Sequence, residues 1–177
     1  GSGFQIGRKA VQMSFQDSDG RRRSGPWQSN VSRLLRCHTI EQLPCNLKTG
    51  DINNSHVAAL APMVMQLSLE GVSVAADILN NAVRELVAVI STTYGKVKLR
   101  TAHLVLVGGL LEQSELLRDQ LSAALKIEEP EIQIQKSLMC PIAGAVVIAC
   151  QESNNNVPNE LEQALIALGT DSSVITR

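Results

Sequence analysis

For the first hundred residues, apolar positions recur in a helical rhythm; after that the chain changes to short apolar runs closed by glycine. Ala10, Val11, Ser14 and Phe15 recur every three or four residues behind the punctuating Gly1, Gly3 and Gly7, which predicts one short helix over 8–15. The stretch from Asp17 to Pro26 is rich in turn formers and lacks apolar periodicity, so it is expected to be a surface loop. Ser29 or Asn30 is placed to cap a second short helix through Val31, Leu34 and Leu35, followed by a loop around Pro44 and Gly50. From Asn53, the positions Val57, Leu60, Ala61, Val64 and Leu67 mark a stronger helix that Pro62 should bend and Gly71 should interrupt. Ser73 then caps a long helix with Ile78, Leu79, Ala82 and Leu86 on its inner face, ending at Tyr94-Gly95. These two helices are expected to pack on each other.

The pattern changes at His103-Leu-Val-Leu-Val-Gly-Gly109, which predicts a buried strand leaving a parallel sheet. A helix over 110–125 follows, with Leu116, Leu117, Leu121, Ala124 and Leu125 inward, and Glu131 to Gln135 alternates as a half-exposed strand. Pro141 suits the first turn of a further helix, kept slim by Ala143, Gly144, Ala145 and Ala149. Asn154 to Pro158 reads as a linker, and Leu161, Leu165 and Leu168 as a weak terminal helix or tail. Four helices and then strand, helix, strand, helix is an α/β order with fewer strands than the usual sheet of about five or six. That shortage, together with an opening on Gly1 rather than Met, leads us to expect a fragment.

Composition narrows the function classes. The 177 residues suit one domain, placed at 1–150, with 151–177 as linker and tail. Only 2% of residues are aromatic, which leaves few surfaces for stacking bases. The net charge of −1 hides an asymmetry: residues 1–50 carry eight Lys/Arg against three Asp/Glu, a balance of +5, and the rest eight against fourteen, a balance of −6. Arg21, Arg22 and Arg23 are too few for a nucleic-acid footprint and are read as a solvated loop. No nucleic-acid partner is expected. Cys37, Cys45, Cys140 and Cys150 have no metal or redox spacing, and reduced, mostly buried thiols are the expectation. No apolar run nears the roughly 18 residues of a membrane helix and the start is unlike a signal peptide, so no membrane association and a cytoplasmic location are expected.

The candidate chemistry is sparse. The corner Val107-Gly108-Gly109 is the most informative site, because ligands of open α/β sheets bind beyond the carboxyl ends of strands and glycine lets them approach the backbone. Gly1-Ser2-Gly3 with Gly7 fails the spacing of a phosphate loop. His38, His56 and His103 are too dispersed for a metal, and His103 reads as a strand-edge residue. Asp51 and Asp77 read as a cap and a solvated face. No general base stands out.

Five segments in order carry a resemblance. They are Gly1-Ser-Gly-Phe-Gln-Ile-Gly-Arg-Lys-Ala10, Asp19-Gly20-Arg21 with Gly25-Pro26, Ala58-Ala-Leu-Ala-Pro62, Val105-Leu-Val-Gly-Gly109 and Pro141-Ile-Ala-Gly-Ala145. Over about residues 1–150 the chain resembles the C-terminal half of N-acetylglucosamine kinases, grouped with BadF/BadG/BcrA/BcrD-type ATPases in the sugar-kinase, Hsp70 and actin superfamily. The resemblance implies a truncated, helix-rich C-terminal domain of actin-like, ribonuclease-H-like α/β fold with few parallel strands. It also implies ATP and an amino sugar as partners, with Mg²⁺ bridging the phosphates, and transfer of the γ-phosphate to the sugar's 6-hydroxyl.

By the same resemblance Gly108 and Gly109 lie beside the adenosine, Gln113 lies on the first turn of the next helix, and Ala58 takes a nucleotide-side position. Gly1, Ser2 and Gly3 match the end of a sugar-contacting segment. The catalytic aspartate and the phosphate loop belong upstream of residue 1, so the segment alone is not expected to turn over. The loop from Asp19 to Pro26 is longer than in relatives, and 151–177 extend past the family's usual end. A homodimer is compatible with this reading. The alternatives are a non-catalytic binding or regulatory module derived from the same domain, and an ATPase activator of a dehydratase. In the latter, Cys140 would be the candidate cluster ligand.

Overall fold

The computed structural model describes residues 1–22, 25–97, 102–135, 137, 139–153, 163–165 and 167. The elements are α1 (Gly3–Ser18), α2 (Trp27–Leu34), α3 (Leu43–Thr49), α4 (Asn54–Ala58), α5 (Ala61–Leu69), α6 (Ser73–Val97), β1 (Ala102–Val105), α7 (Gly109–Gln113), α8 (Glu115–Glu128), β2 (Ile132–Gln135) and α9 (Pro141–Glu152). A single 3₁₀ turn, Ile40–Gln42, precedes α3. β1 and β2 form a two-stranded parallel sheet. The chain divides into two compact units: Gly1–Ala102 with Leu110–Ile132, and His103–Gly109 with the described residues from Gln133 onward.

The first unit holds the core. Ile6 of α1, Trp27 and Val31 of α2, Ile40, Leu43 of α3, Leu60, Val64 of α5 and Leu79 of α6 are all but sealed from solvent. α8 packs on α6 and buries a row of its own, Leu117, Leu121 and Leu125, one residue per turn. Each such side chain contributes about 1.5–3 kcal/mol of transfer free energy.

Several local expectations change for identifiable reasons. α1 starts at Gly3 rather than at residue 8, because Ser2 caps it by accepting a hydrogen bond from the Gln5 N–H at 3.3 Å. Gly3 is therefore the first residue of the helix, and Gly7 sits inside it, where glycine costs about 0.5–1 kcal/mol relative to Ala. At Gly7 the cost is offset by packing: a Cβ there would lie 1.9 Å from the Val57 carbonyl oxygen of α4, so only a bare backbone lets the two helices cross.

The loop after α1 is not merely solvated. Asp17 is buried, and its Oδ2 accepts the N–H groups of Gly25 at 3.2 Å and Trp27 at 3.3 Å, fastening both ends of the turn. Arg22 is half-buried, with Nη1 3.7 Å from the Met13 sulfur. Arg21 does stand in solvent, and Arg23 lies outside the described residues. α2 begins two residues before the expected cap, and Ser29 and Asn30 bond back from inside it to the Pro26 carbonyl.

The segment around Pro44 is helical, since proline at a first turn sacrifices no hydrogen bond. Pro62 acts in the same way. It does not bend one helix but opens α5, after α4 has been capped by Asn53 in a reciprocal box with His56. α6 runs through Tyr94 and Gly95 to Val97. The expected helix over 110–125 is broken at Ser114, whose Oγ accepts the Leu117 N–H at 3.2 Å and starts α8.

In the second unit, β1 is less buried than its composition suggests: Ala102 is buried, while His103 and Val105 are exposed. His103 pairs across the sheet with Gln135 at 2.8 Å, in keeping with a strand residue. α9 starts at Pro141 as expected, but Ala145 and Ala149 are exposed and a Cβ on Gly144 would meet nothing within 4 Å. Of the four small residues only Ala143 is buried. The thiols are free, but of the four only Cys37 is buried and Cys45 is exposed. The linker 154–158, Leu161 and Leu168 lie outside the described residues, and Leu165 is buried.

Candidate functional site

The corner after β1 is built from backbone. Leu106 and Val107 follow β1 outside any regular element, Gly108 turns at φ +106°, and Gly109 opens α7. Only glycine reaches that φ without strain. Both glycines are exposed, and a Cβ on either would meet nothing within 4 Å. The turn thus carries no side chain at either glycine, and there is room beside both. Within the first unit, Arg118 donates from Nη1 to the carbonyls of Leu111 at 3.0 Å and Glu112 at 2.6 Å, which satisfies the end of α7. Gln113 is the last residue of this short α7, one residue before the break, rather than part of the first turn of a long helix.

Within the first unit, Gly3 and Ala58, which the resemblance assigns to the sugar and nucleotide sides, lie together. Ala58 closes α4, half-buried, and a Cβ on Gly3 would sit 3.6 Å from its carbonyl oxygen and 3.9 Å from its Cβ. Ser2 is occupied as the cap of α1. Gly1 packs tightly on α6, where a Cβ would fall 2.5 Å from Leu86 Cγ and 2.7 Å from the Ala82 carbonyl. Beside this end of α1 a cavity of about 330 Å³ opens toward α6, lined by Gln5, Lys9, Asp77, Asn81 and Glu85 among others. Asp77 is therefore a cavity residue as well as a helix-face residue. Gly108 and Gly109 belong to the second unit, and the first three glycine-segment residues with Ala58 and Gln113 to the first.

Charge around the Asp19-Gly20-Arg21 segment is locally balanced. The Arg21 guanidinium donates to Asp19 at 2.7 Å and holds its carboxyl below the usual range. Glu41 is likewise lowered, chiefly by the Ser18 hydroxyl that donates to it. Among the described residues no group of three or more His, Cys, Asp or Glu gathers to hold a metal, so none is assigned to Mg²⁺.

Residues 1–149 match the BadF/BadG/BcrA/BcrD ATPase family. The chain belongs to that ATPase family. The chain is also 28% identical over 159 residues to the N-acetylmuramic acid/N-acetylglucosamine kinase of Clostridium acetobutylicum, an alignment covering 86% of this chain and 50% of that kinase. The chain thus spans about half the length of the curated relative it matches. Taken with the family, this marks an ATPase domain of sugar-kinase-like, actin-like type, and the helix-rich structure with its small parallel sheet is consistent with that. No described helix of this BadF/BadG-family chain is long and apolar enough to cross a membrane.

Two residues that hold the first unit together escape sequence reasoning. Gly7 looks like a turn residue until α4 is seen against it, and Asp17 looks like part of a charged loop. Neither has a local signal, because each depends on a partner from elsewhere in the fold.

Proposed function

We propose that this chain is the C-terminal, nucleotide-side portion of a cytoplasmic ATP-dependent amino-sugar kinase of ribonuclease-H-like fold, transferring the γ-phosphate to the 6-hydroxyl of N-acetylglucosamine or a close relative. The observation that carries the reading is the open Gly108-Gly109 corner at the carboxyl end of β1 in a member of an ATPase family. In this reading adenosine contacts that turn, and by the family resemblance Gln113 and Ala58 are also nucleotide-side residues and Gly1, Ser2 and Gly3 sugar-side ones. The neighbouring polar cavity has acceptors in Asp77 and Glu85 and amides in Gln5 and Asn81 suited to sugar hydroxyls. ATP brings the transferable phosphoryl group, and Mg²⁺, held chiefly by the phosphates, neutralises its charge. The chain's own residues bind and orient.

Gly109→Val tests this in the protein that carries the whole kinase sequence. Its Cβ enters open space, so the melting temperature should be unchanged. The KM for ATP in phosphorylation of N-acetylglucosamine should rise about tenfold or more, as loss of roughly 1.4 kcal/mol of binding implies. An unchanged KM removes Gly109 from the site, and absence of 6-phosphate product from any amino sugar removes the kinase assignment.

A further inference from the structure

A second cavity of the first unit, about 510 Å³, is lined by none of the residues assigned above, although Ala59 on its wall directly follows Ala58. It is formed where the end of α2, the end of α3 and the start of α4 meet. Leu34, Leu35, Ile52 and Ala59 supply apolar walls, and Arg36, Asn46, Asp51 and His56 supply the polar groups.

Arg36 is the informative residue. α2 ends in a Schellman turn, in which the Arg36 N–H donates to the Arg33 carbonyl at 3.3 Å and the Cys37 N–H to the Ser32 carbonyl at 2.9 Å. That turn places Arg36 in the left-handed region at φ +54°. Glycine normally fills such a position, because a Cβ there crowds the following carbonyl. Elsewhere this chain obeys the rule: the other described positive-φ residues are Gly20, Gly50, Gly71 and Gly108. At residue 36 alone, among those described, the strained backbone carries a guanidinium, and it lines a cavity.

The other polar groups have defined roles. His56 Nδ1 accepts the Asn53 N–H at 3.1 Å, which leaves Nε2 to carry the ring proton and donate it. Asp51 accepts the Thr49 hydroxyl at 2.6 Å and keeps further lone pairs, and Asn46 Nδ2 lies 3.4 Å from the Cys37 sulfur. Arg36 makes no hydrogen bond or ion pair with another described residue's side chain. The set combines a fork of donors for an oxyanion with a carboxylate acceptor for hydroxyls, over an apolar floor.

We propose that this cavity is a second ligand site, separate from the nucleotide, for a small polyhydroxylated oxyanion whose phosphate or carboxylate sits at Arg36 and whose hydroxyls face Asp51. Calorimetric titration of the full chain with glucose 6-phosphate, gluconate and glucose tests it. At least one anion should bind and glucose should not; the phosphate alone, or the carboxylate alone, then identifies the group recognised. Arg36→Gly should weaken that binding about ten- to hundredfold while the denaturation midpoint holds or rises, since glycine relieves the left-handed strain. Failure of both anions to bind, or equal affinity in the Arg36→Gly protein, overturns the proposal. Competitive displacement of the anion by a non-hydrolysable ATP analogue overturns the separateness of the site.

Discussion

Single residues in this chain do more through what they leave out than through reactive groups. Gly3 and Gly7 both lie in α1 and both face α4, yet the structure separates their roles. A Cβ on Gly7 would fall 1.9 Å from the Val57 carbonyl oxygen, whereas one on Gly3 would meet Ala58 at 3.6 Å, an ordinary contact. Gly7→Ala should therefore destabilise by about 3 kcal/mol or more, because α4 must be displaced. Gly3→Ala should stay within about 1 kcal/mol of the parent, on the stabilising side, through helix propensity and a less flexible unfolded chain. Trp27, the single tryptophan, is buried in the same unit, so its fluorescence in a urea titration reads both. Equal midpoints for the two variants would refute the distinction.

Secondary-structure elements show how capping decides where continuous apolar patterns break. The pattern from Leu110 to Leu125 reads as one helix, but Ser114 divides it: its hydroxyl accepts from Leu117 at the start of α8 in a buried setting. Ser114→Ala should cost about 1 kcal/mol, while Ser114→Asp, which can also cap, should recover most of it. If the alanine variant unfolds at the parental midpoint, Ser114 does not set the boundary. The same logic explains Pro44 and Pro62. Their spacing among apolar residues suggests a loop and a kink, but both occupy first turns, where the missing N–H is harmless. Asn53 was legible as the start of its helix. What was not legible was that the helix would stop five residues later.

Across the whole chain, all four aromatic residues, Phe4, Phe15, Trp27 and Tyr94, fall in the first unit. Tyr94 ties distant parts of that unit together, its hydroxyl donating at 3.0 Å to Glu131, 37 residues on in the turn before β2. The hydrogen bond to the Glu131 carboxylate, aided by lesser desolvation and by the charges of Glu131 and Glu129, raises the phenol above its ordinary value of 10.0. The fold thus favours the protonated phenol. Its contribution is complete below the unfolded pKa and is lost as pH rises through the higher folded pKa. With a single tyrosine, absorbance titration should show ionisation at higher pH in the folded than in the denatured protein, and Glu131→Gln should abolish most of the difference.

What the order of residues determined by itself was the part governed by near neighbours: the helical rhythm, the β1 run, the glycine corner, proline at the start of α9, and the five segments that carry the family. These follow from periodicity and backbone sterics acting over a few positions, which any short window contains. Tertiary structure alone decided that Gly7 is needed inside a helix, that Asp17 fastens the turn to Trp27, that Gly3 meets Ala58, and that Arg36 lines a cavity. Each of these depends on a group brought close by packing from another part of the chain, and the energy of such a contact is set by distances that exist only once the core has formed.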